Sequence, residues 1–191
     1  VSRLVSRKGQ EQVLRALPQI KAACGPVRYL IAGSGPEEAR LRSVVQTLGL
    51  APEVLFLPEV ADSDLPALYA LAEVFVMPSR DLPGEPIEGF GLVYLEALLC
   101  GTPVIGGHTG GTADAIADGE TGLLVNPEQP EEIAAATIQL LQDPELRRRM
   151  VKAGIQRIEE NFTWDLVAQR FLEALGDWGL RPAVEALSHD G

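Results

Sequence analysis

The segment of this sequence best equipped for chemistry is Glu88-Gly89-Phe90-Gly91-Leu92-Val93-Tyr94-Leu95-Glu96, two glutamates with seven residues between them. It follows a loop containing Pro83, Gly84 and Pro86, and its second half reads as the opening of a helix. Two glycines at a helix start leave backbone N–H groups uncrowded and aimed outward. The aligned peptide dipoles place about half a positive charge there, which suits a phosphate. Glu88 precedes the helix and Glu96 lies within its first turns, so the carboxylates can flank one elongated ligand and accept hydrogen bonds from sugar hydroxyls. Acidic residues near a helix start also complement the dipole with no ligand at all, so both readings stand on residue types alone.

The elements that must position this segment alternate regularly. Continuous apolar runs at 27–32, 54–57, 74–77, 103–105 and 122–125 each end at Gly, Pro or Asn. Unbroken apolar runs of this length read as parallel strands covered on both faces. Between and after them, apolar residues recur at helical spacing: Val13, Leu14, Leu17 and Ile20; Leu41, Val44, Val45 and Leu48; Ile133, Ala136, Leu140 and Leu141; Trp164, Val167, Phe171 and Leu175. The pattern predicts an α/β fold, a Rossmann-type doubly wound parallel sheet, with ligands in the crevice beyond the carboxyl ends of the strands. Residues 1–176 form the expected domain, Gly176, Gly179 and Pro182 break the pattern, and 177–191 read as a tail. Residues 1–4 read as the end of a strand whose apolar beginning lies upstream, so a further domain is expected ahead of them.

Charge narrows the ligand classes. Lys and Arg number 16 against 27 Asp and Glu, a net charge of −11 over 191 residues. So acidic a domain repels nucleic acid and anionic lipid, so neither is an expected partner, and an anion must be held by a few placed donors. The densest basic run, Arg147-Arg148-Arg149, sits beside Asp143 and Glu145 and reads as a solvated helix face. Cys24 and Cys100 are far apart, and neither they nor His108 and His189 have metal-ligand spacing, which fits free thiols in a reducing, cytoplasmic setting. His108 reads as an ordinary loop residue.

Other motifs lead elsewhere and fail. Asp62-Ser63-Asp64 has the spacing of a metal-binding pair but precedes Leu65, Leu68 and Leu71, so it reads as a helix N-cap. Gly33-Ser34-Gly35 begins a dinucleotide fingerprint, but Glu38 occupies the third glycine position and Glu53 begins a strand instead of ending one. No Gly-x4-Gly-Lys-Ser/Thr is present. A glycosidase pair would need a buried acid with a raised pKa, which Gly-flanked Glu88 does not resemble.

Glu88 and Glu96 resemble the Glu-x7-Glu motif of retaining GT-B glycosyltransferases, family 4 (group 1). The likeness extends through Val1-Ser2-Arg3-Leu4-Val5 with Lys8-Gly9, Leu30-Ile31-Ala32-Gly33-Ser34-Gly35-Pro36, Gly101-Thr102-Pro103-Val104-Ile105, Gly110-Gly111 and Gly119-Glu120-Thr121-Gly122-Leu123-Leu124. Ser2 replaces the family's usual Gly, and Asp114 stands where Glu is usual. The loop at 80–86 is similar to that of the phosphatidylinositol mannoside mannosyltransferase branch.

The resemblance implies the C-terminal half of a GT-B fold, with a nucleotide-sugar donor (UDP- or GDP-linked) as substrate and an N-terminal acceptor-binding domain as partner. It implies that Arg3 and Lys8 neutralise the diphosphate near the Gly33 turn, and that the N–H groups from Gly89 through Phe90, Gly91 and Leu92 hold phosphate and sugar oxygens. Glu88 would then contact sugar hydroxyls, Glu96 the ribose, and the stretch from Pro58 to Val60 the base. Catalysis would rest on Arg3, Lys8 and Glu88 without metal or cofactor. A nucleotide-sugar epimerase and a non-catalytic nucleotide-sugar sensor remain alternatives from other classes.

Overall fold

The five apolar runs become five strands in the computed structural model, which describes residues 1–178. They are β1 (Tyr29–Ala32), β2 (Val54–Leu57), β3 (Phe75–Met77), β4 (Val104–Gly107) and β5 (Leu123–Val125). The helices are α1 (Gln10–Cys24), α2 (Glu38–Thr47), α3 (Leu65–Leu71), α4 (Leu92–Leu99), α5 (Thr112–Ala115), α6 (Pro130–Gln142), α7 (Pro144–Asn161) and α8 (Trp164–Asp177). Short 3-10 turns cover Ser6–Lys8 and Asp62–Asp64. Two compact units result, one of Val1–Ile155 and another beginning at Gln156. In the second, Thr163 caps α8 by accepting from Leu166 N–H, and the helix exposes Trp164, Val167 and Phe171.

Every strand pairing is parallel, as the unbroken apolar runs require, but the expected single sheet divides into two ladders. β1 pairs with β2, and β3, β4 and β5 pair in that order. Between β1 and β3 lies a cavity of about 660 Å³, lined from one side by Tyr29 and Ile31 and from the other by Val74 and Val76. Helix α1 serves both ladders. Its Val13, Ala16 and Ile20 enter the core with Ile105, Val125 and Ile133, while its Leu14 and Leu17 pack with Leu4, Ile31 and Leu41. Burying each such aliphatic chain contributes about 1.5–3 kcal/mol, so two opposed apolar faces fix the helix more firmly than one would.

The segment ahead of α1 extends the first ladder. Ser2 N–H donates to Ala32 O at 3.0 Å and Leu4 N–H to Ser34 O at 2.9 Å, the alternate-residue pattern of a parallel pair. Gly33 allows this approach: a Cβ there would lie 2.0 Å from Ser2 O, and its φ is +125°. The strand-end reading of residues 1–4 therefore has a hydrogen-bonded counterpart, though no full strand forms.

Three local expectations are corrected. Asp62, Ser63 and Asp64 form a 3-10 turn running into α3, and no side chain caps the helix. Arg147 is no solvated residue: its guanidinium donates to Leu140 O at 2.6 Å and Leu141 O at 2.9 Å, closing the last turn of α6. Arg148 keeps the solvated role, exposed and paired with Glu145 at 2.5 Å. Gly176 does not end a helix but lies inside α8, because a glycine one position from the terminus costs little there. The expected tail falls, from residue 179 onward, outside the described residues.

Candidate functional site

The carboxyl ends of β1, β3 and β4 open toward one crevice, and the loops there are drawn together by side chains distant in sequence. Glu88 is buried at 8% exposure, and its Oε2 accepts from three donors: Lys8 Nζ at 2.5 Å, Ser79 Oγ at 3.0 Å and Arg7 Nη1 at 3.3 Å. Ser79, fully buried, leaves the end of β3, and Arg7 and Lys8 come from the 3-10 turn before α1. The backbone joins the same pieces, since Arg80 N–H donates to Arg7 O at 2.7 Å. The Arg80 guanidinium forks onto Glu128, both contacts at 2.6 Å, tying the loop after β3 to the loop after β5.

Behind Glu88 stands Gly110-Gly111. Gly111 N–H donates to Glu88 O at 3.0 Å, and a Cβ on Gly111 would sit 1.7 Å from Gly89 O. The two glycine pairs noted in the sequence thus pack backbone to backbone. Gly91 precedes α4 directly, so the N–H groups of Leu92 and Val93 sit at the helix's open end, ahead of any intrahelical acceptor. Glu96 is exposed on the next turn of α4, and one of its oxygens accepts from Tyr69 Oη at 2.8 Å.

Lys8, Glu88 and the Gly89–Leu92 turn therefore meet in one place, and Gly33 lies under Ser2 at the mouth of the first ladder. Arg3 is exposed and, among the described residues, its guanidinium has no ion-pair partner. Val60 is half-buried in the loop after β2, and His108 is exposed after β4. Sequence reasoning missed Arg7, Ser79 and Tyr69. Arg7 carried the one usable signal, a second cation beside Lys8; nothing in the spacing links Ser79 or Tyr69 to a carboxylate.

Glu88 differs from expectation in being buried, yet it is no raised-pKa acid. Burial alone would push its carboxyl up, but the Lys8 ammonium, the Ser79 hydroxyl and the Arg7 guanidinium outweigh that and hold it below the usual carboxylate range. A carboxyl whose folded pKa is depressed stabilises the fold at every pH above its unfolded value, about 4.3. That contribution is lost as pH falls further, through the folded pKa. The urea midpoint of wild type should therefore exceed that of Glu88→Gln by a constant margin from pH 7 to about 5. Below pH ~4 the two should converge; a margin unchanged at pH 3 would contradict the ion-pair assignment.

Parallel strands, crossing helices and a crevice at the strand ends define the Rossmann-type C-terminal half of a GT-B glycosyltransferase fold. The family profile described as glycosyl transferases group 1 matches residues 1–157, and the chain belongs to that family. It is 38% identical over 187 residues to a GDP-mannose-dependent alpha-(1-6)-phosphatidylinositol monomannoside mannosyltransferase of Mycolicibacterium smegmatis, covering 97% of this chain and 48% of that protein. The chain thus spans about half the length of curated relatives of this kind. Among solved structures, Anabaena HepE in complex with UDP superposes with a TM-score of 0.81 at 28% identity, covering 92% of this chain and 47% of that one. The C-terminal domain of a group 1 family protein (LpcC) from Francisella tularensis superposes at 0.73 with 25% identity, covering 85% and 83%. Among the described residues no helix is long and apolar enough to cross a membrane.

Proposed function

We propose that this chain binds the donor of a retaining hexosyltransferase, holding a GDP-linked sugar, with mannose the favoured hexose, for transfer to an acceptor bound elsewhere. The observation that carries the reading is the Lys8–Glu88–Arg7 cluster beside the open end of α4. It is a small cationic island in a molecule of net charge −11. GDP is favoured over UDP because four relatives, 37–38% identical over 91–97% of this chain, are named as GDP-mannose-dependent.

In this reading the diphosphate lies between Arg3, Lys8 and the N–H groups of Leu92 and its neighbours, which stabilise the charge that develops as the sugar departs. Charge is supplied by these side chains, so the mechanism takes no metal ion or cofactor. Glu88, held ionised, accepts from sugar hydroxyls and orients the donor, and the acceptor attacks from the face the diphosphate leaves. Glu96 accepts from the ribose, and the Pro58–Val60 stretch meets the base.

Calorimetric titration of the chain with GDP and with UDP tests this directly. GDP should bind at least tenfold more tightly than UDP, and the chain alone should transfer no sugar from GDP-mannose, since no acceptor site is assigned to it. Tighter UDP binding would reassign the base. Binding of neither would refute a donor site in this chain, and an isomerised sugar nucleotide would replace transfer with epimerisation.

A further inference from the structure

We propose that Tyr69 is a positioning residue for ribose recognition, its buried hydroxyl fixing the Glu96 carboxylate in the orientation that accepts the ribose hydroxyls. The inference rests on the donor-site reading above. Glu96 is an exposed side chain on α4, and an unrestrained glutamate there samples several rotamers that a ligand must freeze on binding. Tyr69 removes that freedom beforehand. Its Oη donates to Glu96 Oε2 at 2.8 Å from a residue only 3% exposed.

Tyr69 is itself held from several sides. Its ring meets Phe75 edge-on at 5.6 Å, and Phe75 meets Tyr94 of α4 in the same manner at 5.9 Å. Its carbonyl accepts from Thr102 Oγ1 at 2.6 Å. A strand, two helices and the loop before β4 thus locate one hydroxyl. The chemistry of the holder also fits a ligand of hydroxyl groups. A lysine in this place would neutralise the carboxylate, whereas a phenol donates one bond to one oxygen and leaves the negative charge for further donors. A buried tyrosine needs some acceptor in any case, but a backbone carbonyl would satisfy it; here the acceptor is an exposed carboxylate at the crevice.

The test compares GDP with dideoxyguanosine diphosphate, titrated into wild type, Tyr69→Phe and Glu96→Ala. Wild type should prefer GDP by roughly tenfold, the scale of one hydrogen bond to a charged acceptor. Glu96→Ala should erase that preference, and Tyr69→Phe should reduce it to about threefold, with dideoxynucleotide affinity unchanged and the melting temperature lowered by no more than about 2–4 °C, the cost of one lost hydrogen bond. A purely structural tyrosine would lower melting, or both affinities together, and leave the ratio at its wild-type value. If Tyr69→Phe keeps the wild-type ratio, the proposal fails while the donor site stands. If wild type shows no preference, or Glu96→Ala keeps one, the ribose assignment of Glu96 falls and the proposal with it.

Discussion

Gly111→Ala should lower the melting temperature by about 6–12 °C and abolish measurable nucleotide binding. The methyl group would lie 1.7 Å from Gly89 O, a backbone atom that cannot rotate aside as a side chain could. Nor can the 110–111 turn withdraw, because Gly111 N–H is bonded to Glu88 O. Forcing extra carbon into such a contact costs about 1–3 kcal/mol, and losing the hydrogen bond adds about 1. At 2–4 °C per kcal/mol for a domain of this size, the midpoint of that sum, about 3 kcal/mol, gives the stated shift. Gly119→Ala is the complementary control: its φ is left-handed at +74°, whereas that of Gly111 is −80°, and nothing lies within 4 Å of the added methyl. Thermal scans of both variants separate backbone strain from collision. Equal small losses in the two would mean that the Glu88 turn yields and that the glycine pair does not brace it.

Lys8→Ala should weaken GDP binding by about 10–100-fold, the range expected for one or two charge-assisted hydrogen bonds. The place of Lys8 is fixed before any ligand arrives. Its ammonium is mostly buried and touches Glu88, and it has three protons, so it can keep one on the carboxylate and offer others to a diphosphate. Arg7→Ala should cost less, since Arg7 lies farther from Glu88 Oε2 and is more exposed. Calorimetry distinguishes the two uses of Lys8. A lowered melting temperature with unchanged GDP affinity would make the ammonium merely the counter-ion of a buried carboxylate.

Much of this architecture is written locally. Each strand grows from an apolar run: the structure shortens three of them at the start, keeps 54–57 whole and carries β4 on through Gly106 and Gly107, the glycines expected to stop it. Helix α1 was legible from Val13, Leu14, Leu17 and Ile20 despite Pro18, because that proline falls on the exposed face. Glu88, Glu96 and Gly110-Gly111 stood out by spacing and resemblance. The pairing of Lys8 with Glu88 could not be read, because the partners are 80 positions apart and only the fold brings them together. Ser79 and Tyr69 were invisible for the same reason: a serine after a strand and a tyrosine in a helix carry no mark of the carboxylates they hold. The division into two ladders also escaped, since apolar runs reveal that a strand is buried but not which edge it bonds.

That division shapes how the molecule comes apart. No ladder hydrogen bond crosses from β1 to β3, so cooperativity between the halves is carried by the two faces of α1 and by the segment before it. This segment is bonded to the β1 side through Ser2 and Leu4, and to the β3 side through Arg7 O and Lys8. Both sides therefore depend on the strap that carries the cations, and loosening it would free each ladder from the other. A ligand bound across that strap would oppose its loosening and so hold the two ladders to one another.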